Sequence, residues 1–161
     1  MGWIENLQGE KVGLDTAPFI YFIEENQTYL PVIRPFFEAL DRGSFSGITS
    51  AVTLLEVLVQ PLRLNDEDTA QRYREILLSA RNLKTMALSP KIAEKAAKLR
   101  ATYYLRTPDA IQVSTAICGG ASFFLTNDAR LAPLSELQVL VLDTLLGNGS
   151  FDTAQRKDRG E

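Results

Sequence analysis

The sequence predicts an α/β fold: a three-layer α/β/α sandwich around a mostly parallel five-stranded sheet. Five short apolar segments alternate with stretches of helical pattern along the chain. Those segments are nearly continuous in apolar character, as expected for strands covered by helices on both faces. The 161 residues suit one domain large enough to bury a substantial core.

The first ten residues show no periodicity and are expected to be a loosely held N-terminal segment, ahead of a single domain over 11–146. "KVGLD" (11–15) reads as a buried strand with an acid at its end. "TAPFIYFIEEN" (16–26) follows as a helix, because Pro18 is tolerated only in a first turn. "LPVIRPFFEALDRG" (30–43) reads as a second helix, ended by Gly43. "FSGITS" (45–50) is the second strand. It runs into a helix over 50–61, with Ser50 as N-cap and Pro61 as terminator. "NDEDTAQRYREILLSAR" (65–81) opens with acids at the positive end of a helix. A third strand over 83–89 leads to a helix over 90–105. "TPDAIQVSTAICGG" (107–120) starts a helix with Thr107 as N-cap, Pro108 at its first position and Asp109 in its first turn. Strands over 121–128 and 137–143 complete the set. The polar, glycine-bearing segment 147–161 is expected to be a disordered tail.

Composition narrows the chemistry. There is no histidine, which removes Ser-His-Asp and Cys-His catalysis and His-ligated metals. The single cysteine, Cys118, excludes an internal disulfide framework and suits a reducing compartment. No apolar run is long enough to span a bilayer, and no signal-peptide order is present, so a cytoplasmic protein without a membrane partner is expected.

Parallel sheets bind ligands beyond the carboxyl ends of their strands, where the strand order switches. Asp15 and Asp128 are expected there, each just after a strand, and Asp109 at the same edge, in the first turn of a helix. Glu56 is the only charge in "ITSAVTLLEVLVQPL", so it reads as a costly lone carboxylate within a buried segment. Taken singly each has a plainer role: Asp15 and Asp128 as caps, Asp109 as a helix-dipole partner, and Glu56 as an exposed edge on a partly buried helix. Together, expected at one edge with no basic side chain directly beside any of them, the four acids suggest a site for a hard divalent cation such as Mg2+ or Mn2+. Metal-assisted phosphodiester hydrolysis is the chemistry such a site offers.

The order Asp15 in "LDT", Glu56 in "TLLEVL", Asp109 in "RTPDAIQVSTA" and Asp128 in "FFLTNDARL" resembles the PIN domain, and more narrowly the VapC-like toxin ribonucleases. The resemblance runs from about Val12 to Leu145. It implies an Mg2+- or Mn2+-dependent endoribonuclease with those four residues as its metal-binding, catalytic acids. Asp15 and Asp109 would hold the principal ion, Glu56 would orient the attacking water, and Asp128 would serve a second ion or position the first. Thr126 matches the family's hydroxyl beside the last acid. Asn127 is the other expected supporting residue. A second "LDT" at 142–144 carries Asp143, which matches no family acid. Implied partners are an RNA substrate, a second copy forming a homodimer, and a cognate antitoxin.

The net charge of −3 sits poorly with RNA binding, so local cations have to supply it. Arg106 and Arg130 are the favoured phosphate contacts, with Tyr103 or Tyr104 able to stack on bases. The apolar first two helices, with Phe19, Ile20, Phe22, Ile23, Val32, Ile33, Phe36 and Phe37, carry a surplus that would suit a protein partner. Two other readings fail. A haloacid-dehalogenase-type phosphatase needs an acid where Ala17 stands, and a phospho-receiver needs paired early acids and a late lysine that are missing. A PIN-fold RNA-binding or protein-interaction module with little catalysis is the alternative from another class.

Overall fold

The computed structural model describes residues 2–146, and the expected tail over 147–161 lies outside them. Five strands, β1 (Lys11–Leu14), β2 (Ser46–Ser50), β3 (Leu83–Met86), β4 (Phe123–Thr126) and β5 (Gln138–Val141), form one sheet. Their order is β3-β2-β1-β4-β5 and all four pairings are parallel. Six helices connect them: α1 (Thr16–Ile23), α2 (Leu30–Asp41), α3 (Ala51–Arg63), α4 (Glu67–Ser79), α5 (Pro90–Tyr103) and α6 (Thr107–Cys118). Residues 142–146 are helical after β5.

Two apolar clusters cover the two sheet faces. On one face Val12, Leu14 and Leu125 meet Phe19 and Ile23 of α1, Ile33, Phe36 and Phe37 of α2, and Tyr73 and Leu77 of α4. On the other, Ile48 and Phe124 meet Ala96 and Leu99 of α5 and Ala110, Val113 and Ala116 of α6. The alternation of Leu14 and Leu125 with Phe124 is the period-two pleat of strands buried on both sides. This is the expected three-layer sandwich.

Four local expectations need correction. Of the segment expected to be loose, residues 2–10 are packed: Leu7 is fully buried, Trp3 stacks on Phe36 at 5.7 Å, and Gly9 N–H donates to Ser44 O at 2.8 Å. Pro61 does not end α3, which runs to Arg63; a proline in a last turn removes only one late hydrogen bond. Thr107 is the first helical residue of α6 rather than its cap, which is Arg106 without a side-chain bond. The apolar surplus of α1 and α2 is largely spent in the core, where Phe19, Ile23, Ile33, Phe36 and Phe37 are all buried. The exposed apolar stripe instead lies on α3, at Leu55, Val59 and Leu62, spaced to share one helix face.

The helix that carries Asp109 sits unusually close to β1, and Gly13 makes this possible. A Cβ there would lie 2.4 Å from Ala116 Cβ and 2.9 Å from Phe124 Cδ2. Gly13→Ala is expected to destabilise the protein by roughly 1–3 kcal/mol through overpacking, and Ala116→Gly in the same chain to recover part of that loss. Urea titration of the two variants checks this; an unchanged midpoint for Gly13→Ala would refute the close-approach argument.

Candidate active site

Asp15 follows β1 directly, and its backbone N–H still belongs to the sheet, donating to Leu125 O at 2.9 Å. Its side chain caps α1, accepting from Thr16 N–H at 2.9 Å through Oδ1. Oδ2 accepts from the hydroxyl of fully buried Thr126 at 2.7 Å. Capping is therefore one role of Asp15, and it leaves the charge unneutralised: neither partner is a cation. Burial pushes the Asp15 carboxyl above its ordinary value of 3.8 despite both hydrogen bonds, and the neighbouring charges of Asp109 and Glu56 push it further the same way.

Glu56 lies in the second turn of α3 and is exposed, contrary to the buried lone charge expected from its apolar surroundings in sequence. The apolar residues around it in sequence point elsewhere on the helix, while Glu56 faces the sheet edge. Its Oε1 accepts from Thr16 Oγ1 at 2.8 Å, so the residue after Asp15 touches both acids.

Asp109, at the third position of α6, is half-buried, and Asp128, which follows β4 by two residues, is too. Both have cations beside them, which overturns the expectation of acids without basic neighbours. Arg106 Nε lies 3.1 Å from Asp109 Oδ2. Arg130 grips Asp128 with Nε at 2.9 and 3.2 Å and Nη2 at 2.6 Å, and its backbone N–H adds a fourth bond at 3.0 Å. That grip, above all the side-chain bond to Arg130, holds the Asp128 carboxyl below the ordinary range. The guanidiniums are 70% and 69% exposed against 14% and 23% for the carboxylates, so both cations stand on the solvent side of the acids they pair with.

Thr126 stands where expected; besides Asp15 it contacts Asp128, accepting from its N–H at 3.0 Å. Asn127 does not support the acids. Its amide bridges Tyr21 Oη at 3.0 Å and the Asp143 backbone N–H at 2.9 Å. Asp143 itself accepts from Tyr29 Oη and is tied into this bridge beyond β5. Sequence reasoning missed Gln112, which is 3% exposed and joined by hydrogen bonds to Ser50, Thr16 and Thr53. A lone amide inside the apolar run "AIQVSTAI" was the available signal.

Asp15 and Asp128 straddle the junction of β1 with β4, where the strand order reverses, with Asp109 and Glu56 close enough to Asp15 to act on its charge. Among the described residues no three acids converge into a preassembled metal cage. The donor set still fits Mg2+ or Mn2+, which bind through one or two carboxylates and keep waters for a substrate to share. A desolvated Asp15 repelled by two further acids is also the electrostatic condition that a hard cation relieves.

The pKa directions give opposite signatures. Asp15 binds its proton more tightly folded than unfolded, so it costs stability as pH rises above 3.8 and through its folded value. Asp128 binds its proton less tightly folded, so it contributes stability that is lost as pH falls below 3.8. In chelator at neutral pH, Asp15→Asn is expected to melt at a higher temperature than the parent, the asparagine still serving as a cap. The gain should vanish toward pH 3.8, and thermal melts across that range test it. A lower melting temperature for Asp15→Asn at neutral pH would contradict the uncompensated charge.

The family model of the PIN domain matches residues 12–137. No curated protein sequence matches the chain significantly. Among solved structures, VapBC2 from Rickettsia felis bound to a promoter DNA fragment is similar with TM-score 0.65 and 19% identity, over 81% of this chain and 98% of that one. A toxin-antitoxin complex from Klebsiella pneumoniae gives 0.60 and 22%, over 82% and 97%. VapC20 of Mycobacterium tuberculosis, a sarcin-ricin loop cleaving toxin, gives 0.62 and 14%, over 79% and 98%. At these identities the structural likeness concerns the fold. The family model spans the sheet edge and all four acids, and the chain belongs to the PIN domain family.

Proposed function

We propose that this protein is a divalent-metal-dependent endoribonuclease and the toxin of a toxin–antitoxin pair. The observation that carries the reading is Asp15: a desolvated carboxylate at the central strand end, without a cationic partner among the described residues, beside Asp109 and Glu56. Asp15 and Asp109 would hold the principal Mg2+ or Mn2+ ion. When bound, the ion supplies the positive charge that activates a water and stabilises the phosphoryl centre.

The chain's own groups do the rest. Glu56 is exposed and keeps one oxygen uncommitted by Thr16, so it can accept a proton from the attacking water. Water attacks phosphorus as its proton passes to Glu56, and the P–O3′ bond breaks with O3′ taking a proton from solvent, leaving a 5′-phosphate and a 3′-hydroxyl. Asp128, already held by Arg130, orients from one side and keeps Arg130 at the rim. Tyr103, Tyr104, Arg106 and Arg130 line a cleft of about 130 Å3 that also includes Asp109 and Asp128. Tyr104 is 92% exposed there and Tyr103 only half-buried, so Tyr104 is the stacking residue for a base. The two arginines would then take the flanking phosphates.

The Klebsiella pneumoniae relative in fold is a toxin-antitoxin complex, which supports an antitoxin partner here. The exposed Leu55, Val59 and Leu62 on α3 support a protein contact, a homodimer mate being the occupant that needs no second gene product. No helix among the described residues is long and apolar enough to cross a membrane.

Purified protein is expected to cut total RNA with Mg2+ or Mn2+ and to lose the activity in chelator. Glu56→Gln should lower the rate by about 10²–10⁴-fold, with Asp15→Asn and Asp109→Ala at background. Full-rate cleavage by a folded Asp109→Ala protein would overturn the assignment, and no cleavage by the parent would favour the non-catalytic binding module. Tyr104→Ala is expected to weaken binding of a short single-stranded RNA by ~1–3 kcal/mol while Tyr104→Phe holds it. Fluorescence anisotropy in chelator reads this without any cutting, and equal affinities for the two variants would remove Tyr104 from the interface.

A further inference from the structure

Gln112 lies three residues beyond Asp109 on α6, on its buried side, and its hydrogen bonds admit one direction only. The Ser50 hydroxyl accepts from Val52 N–H at 3.1 Å and keeps its proton for Gln112, because Glu56 and Leu14 O at the far ends of the network can only accept and so require the amide NH2 to face the threonines. That proton goes to Gln112 Oε1 at 2.6 Å. The carbonyl end of the amide is thereby fixed toward Ser50, and the NH2 end faces Thr16 Oγ1 at 3.0 Å and Thr53 Oγ1 at 2.6 Å.

An NH2 group only donates, so both threonine hydroxyls accept from it and their own protons point onward. Thr53 donates to Thr49 Oγ1 at 2.9 Å, and Thr49 donates to Leu14 O at 2.9 Å. Thr16 donates to Glu56 Oε1 at 2.8 Å. The chain therefore runs from the first turn of α3, through Gln112, to Glu56, with every proton used once. Turning the amide over would set its carbonyl against two hydroxyls, and Thr16 could serve that carbonyl only by abandoning Glu56.

We propose that Gln112 is a positioning residue for the reaction: it fixes the Thr16 hydroxyl as a donor and so holds one oxygen of Glu56 while the other stays turned to solvent and the attacking water. The role rests on the nuclease reading above. It also makes physical sense of a buried polar chain in this place. Such chains are costly unless every member is satisfied, and this one is satisfied only in the direction that ends on Glu56.

The test compares Gln112→Met, which keeps length and removes the amide, with Thr16→Val, Thr16→Ser and the Gln112→Met/Thr16→Val double variant. A hydrogen bond to a charged group corresponds to about ten- to a hundredfold in rate, and this loss is expected in kcat of RNA cleavage with Mn2+, with KM unchanged. Thr16→Ser should recover most of the loss. The double variant should fall no further than Thr16→Val alone, because both act through one hydroxyl.

A second readout needs neither metal nor substrate. In chelator, the Gln112 side-chain NH2 signals in NMR should be protected from exchange, displaced by Thr16→Val and restored by Thr16→Ser. Additive losses in the double variant, a loss confined to KM, or a folded Gln112→Met protein cutting at the parent rate would overturn the positioning role while leaving the nuclease intact. If Gln112→Met fails to fold, the Thr16 variants decide alone: unmoved Gln112 signals in Thr16→Val overturn the role. A parent protein that cuts no RNA overturns the nuclease reading and the positioning role together.

Discussion

Because β1 is paired on both edges and covered by helices on both faces, the carboxylate that follows it has little water to turn to. Asp15 is given two neutral donors, the Thr16 N–H and the Thr126 hydroxyl, and each favours the charged form. Hydrogen bonds to a charge contribute roughly 1.5–3 kcal/mol apiece, whereas desolvating a charge costs several kcal/mol. Burial wins, as the upward direction of the Asp15 carboxyl records. The same donors fix the carboxylate in position. Asp15 is therefore held firmly without being neutralised, and Asp109 and Glu56 add to the deficit rather than relieve it. The helix α6, admitted by Gly13, and the buried amide of Gln112 are the means by which the other acids are brought beside it.

The sheet was legible because parallel strands buried on both faces leave continuous apolar runs, and Asp15, Asp109 and Asp128 were legible because each stands where such a run or its neighbouring helix breaks. Glu56 was located in sequence but misjudged in burial: a stretch of apolar neighbours says nothing about which face of α3 a single residue occupies, and this helix keeps Leu55 and Val59 exposed alongside it. The arginine pairings were invisible because they depend on side-chain direction across a turn, as with Arg106 reaching Asp109 three residues on. Gln112 was passed over for a related reason. Its partners Ser50, Thr53 and Thr16 lie 62, 59 and 96 residues away, and no local pattern relates them. The N-terminal segment hid its attachment in single residues, Trp3 and Leu7, too few to make a period.

The distribution of apolar surface separates what folds the chain from what remains for a partner. Phe36 and Phe37 of α2 pack against Phe45, Phe19 and Phe22, so the aromatic wealth of the first helices closes one layer of the sandwich. On α3 the division runs along the helix: Thr53 and Val57 turn inward while Leu55, Val59 and Leu62 turn out. The same helix also supplies Glu56, so a protein seated on this stripe would contact the element that carries the candidate base.

On the proposed nuclease reading an acidic chain must place its few useful cations well, and Arg106 and Arg130 meet that demand by where their exposure lies. Each pairs with a site acid, yet each guanidinium is about 70% exposed while its carboxylate is largely covered. Each arginine is thus held by its carboxylate while its solvent side stays free to meet a phosphate. The pairing also keeps two cations beside a cluster that would otherwise repel a polyanion. Asp15, which has no such cation among the described residues, and Asp128, which has one gripping it by side chain and backbone, are consequently different in kind: the first carries an uncompensated charge, and the second holds a cation in place at the mouth of the cleft. A site divided this way can present a metal-binding half and a phosphate-binding half along a single sheet edge, although the chain as a whole carries a net charge of −3.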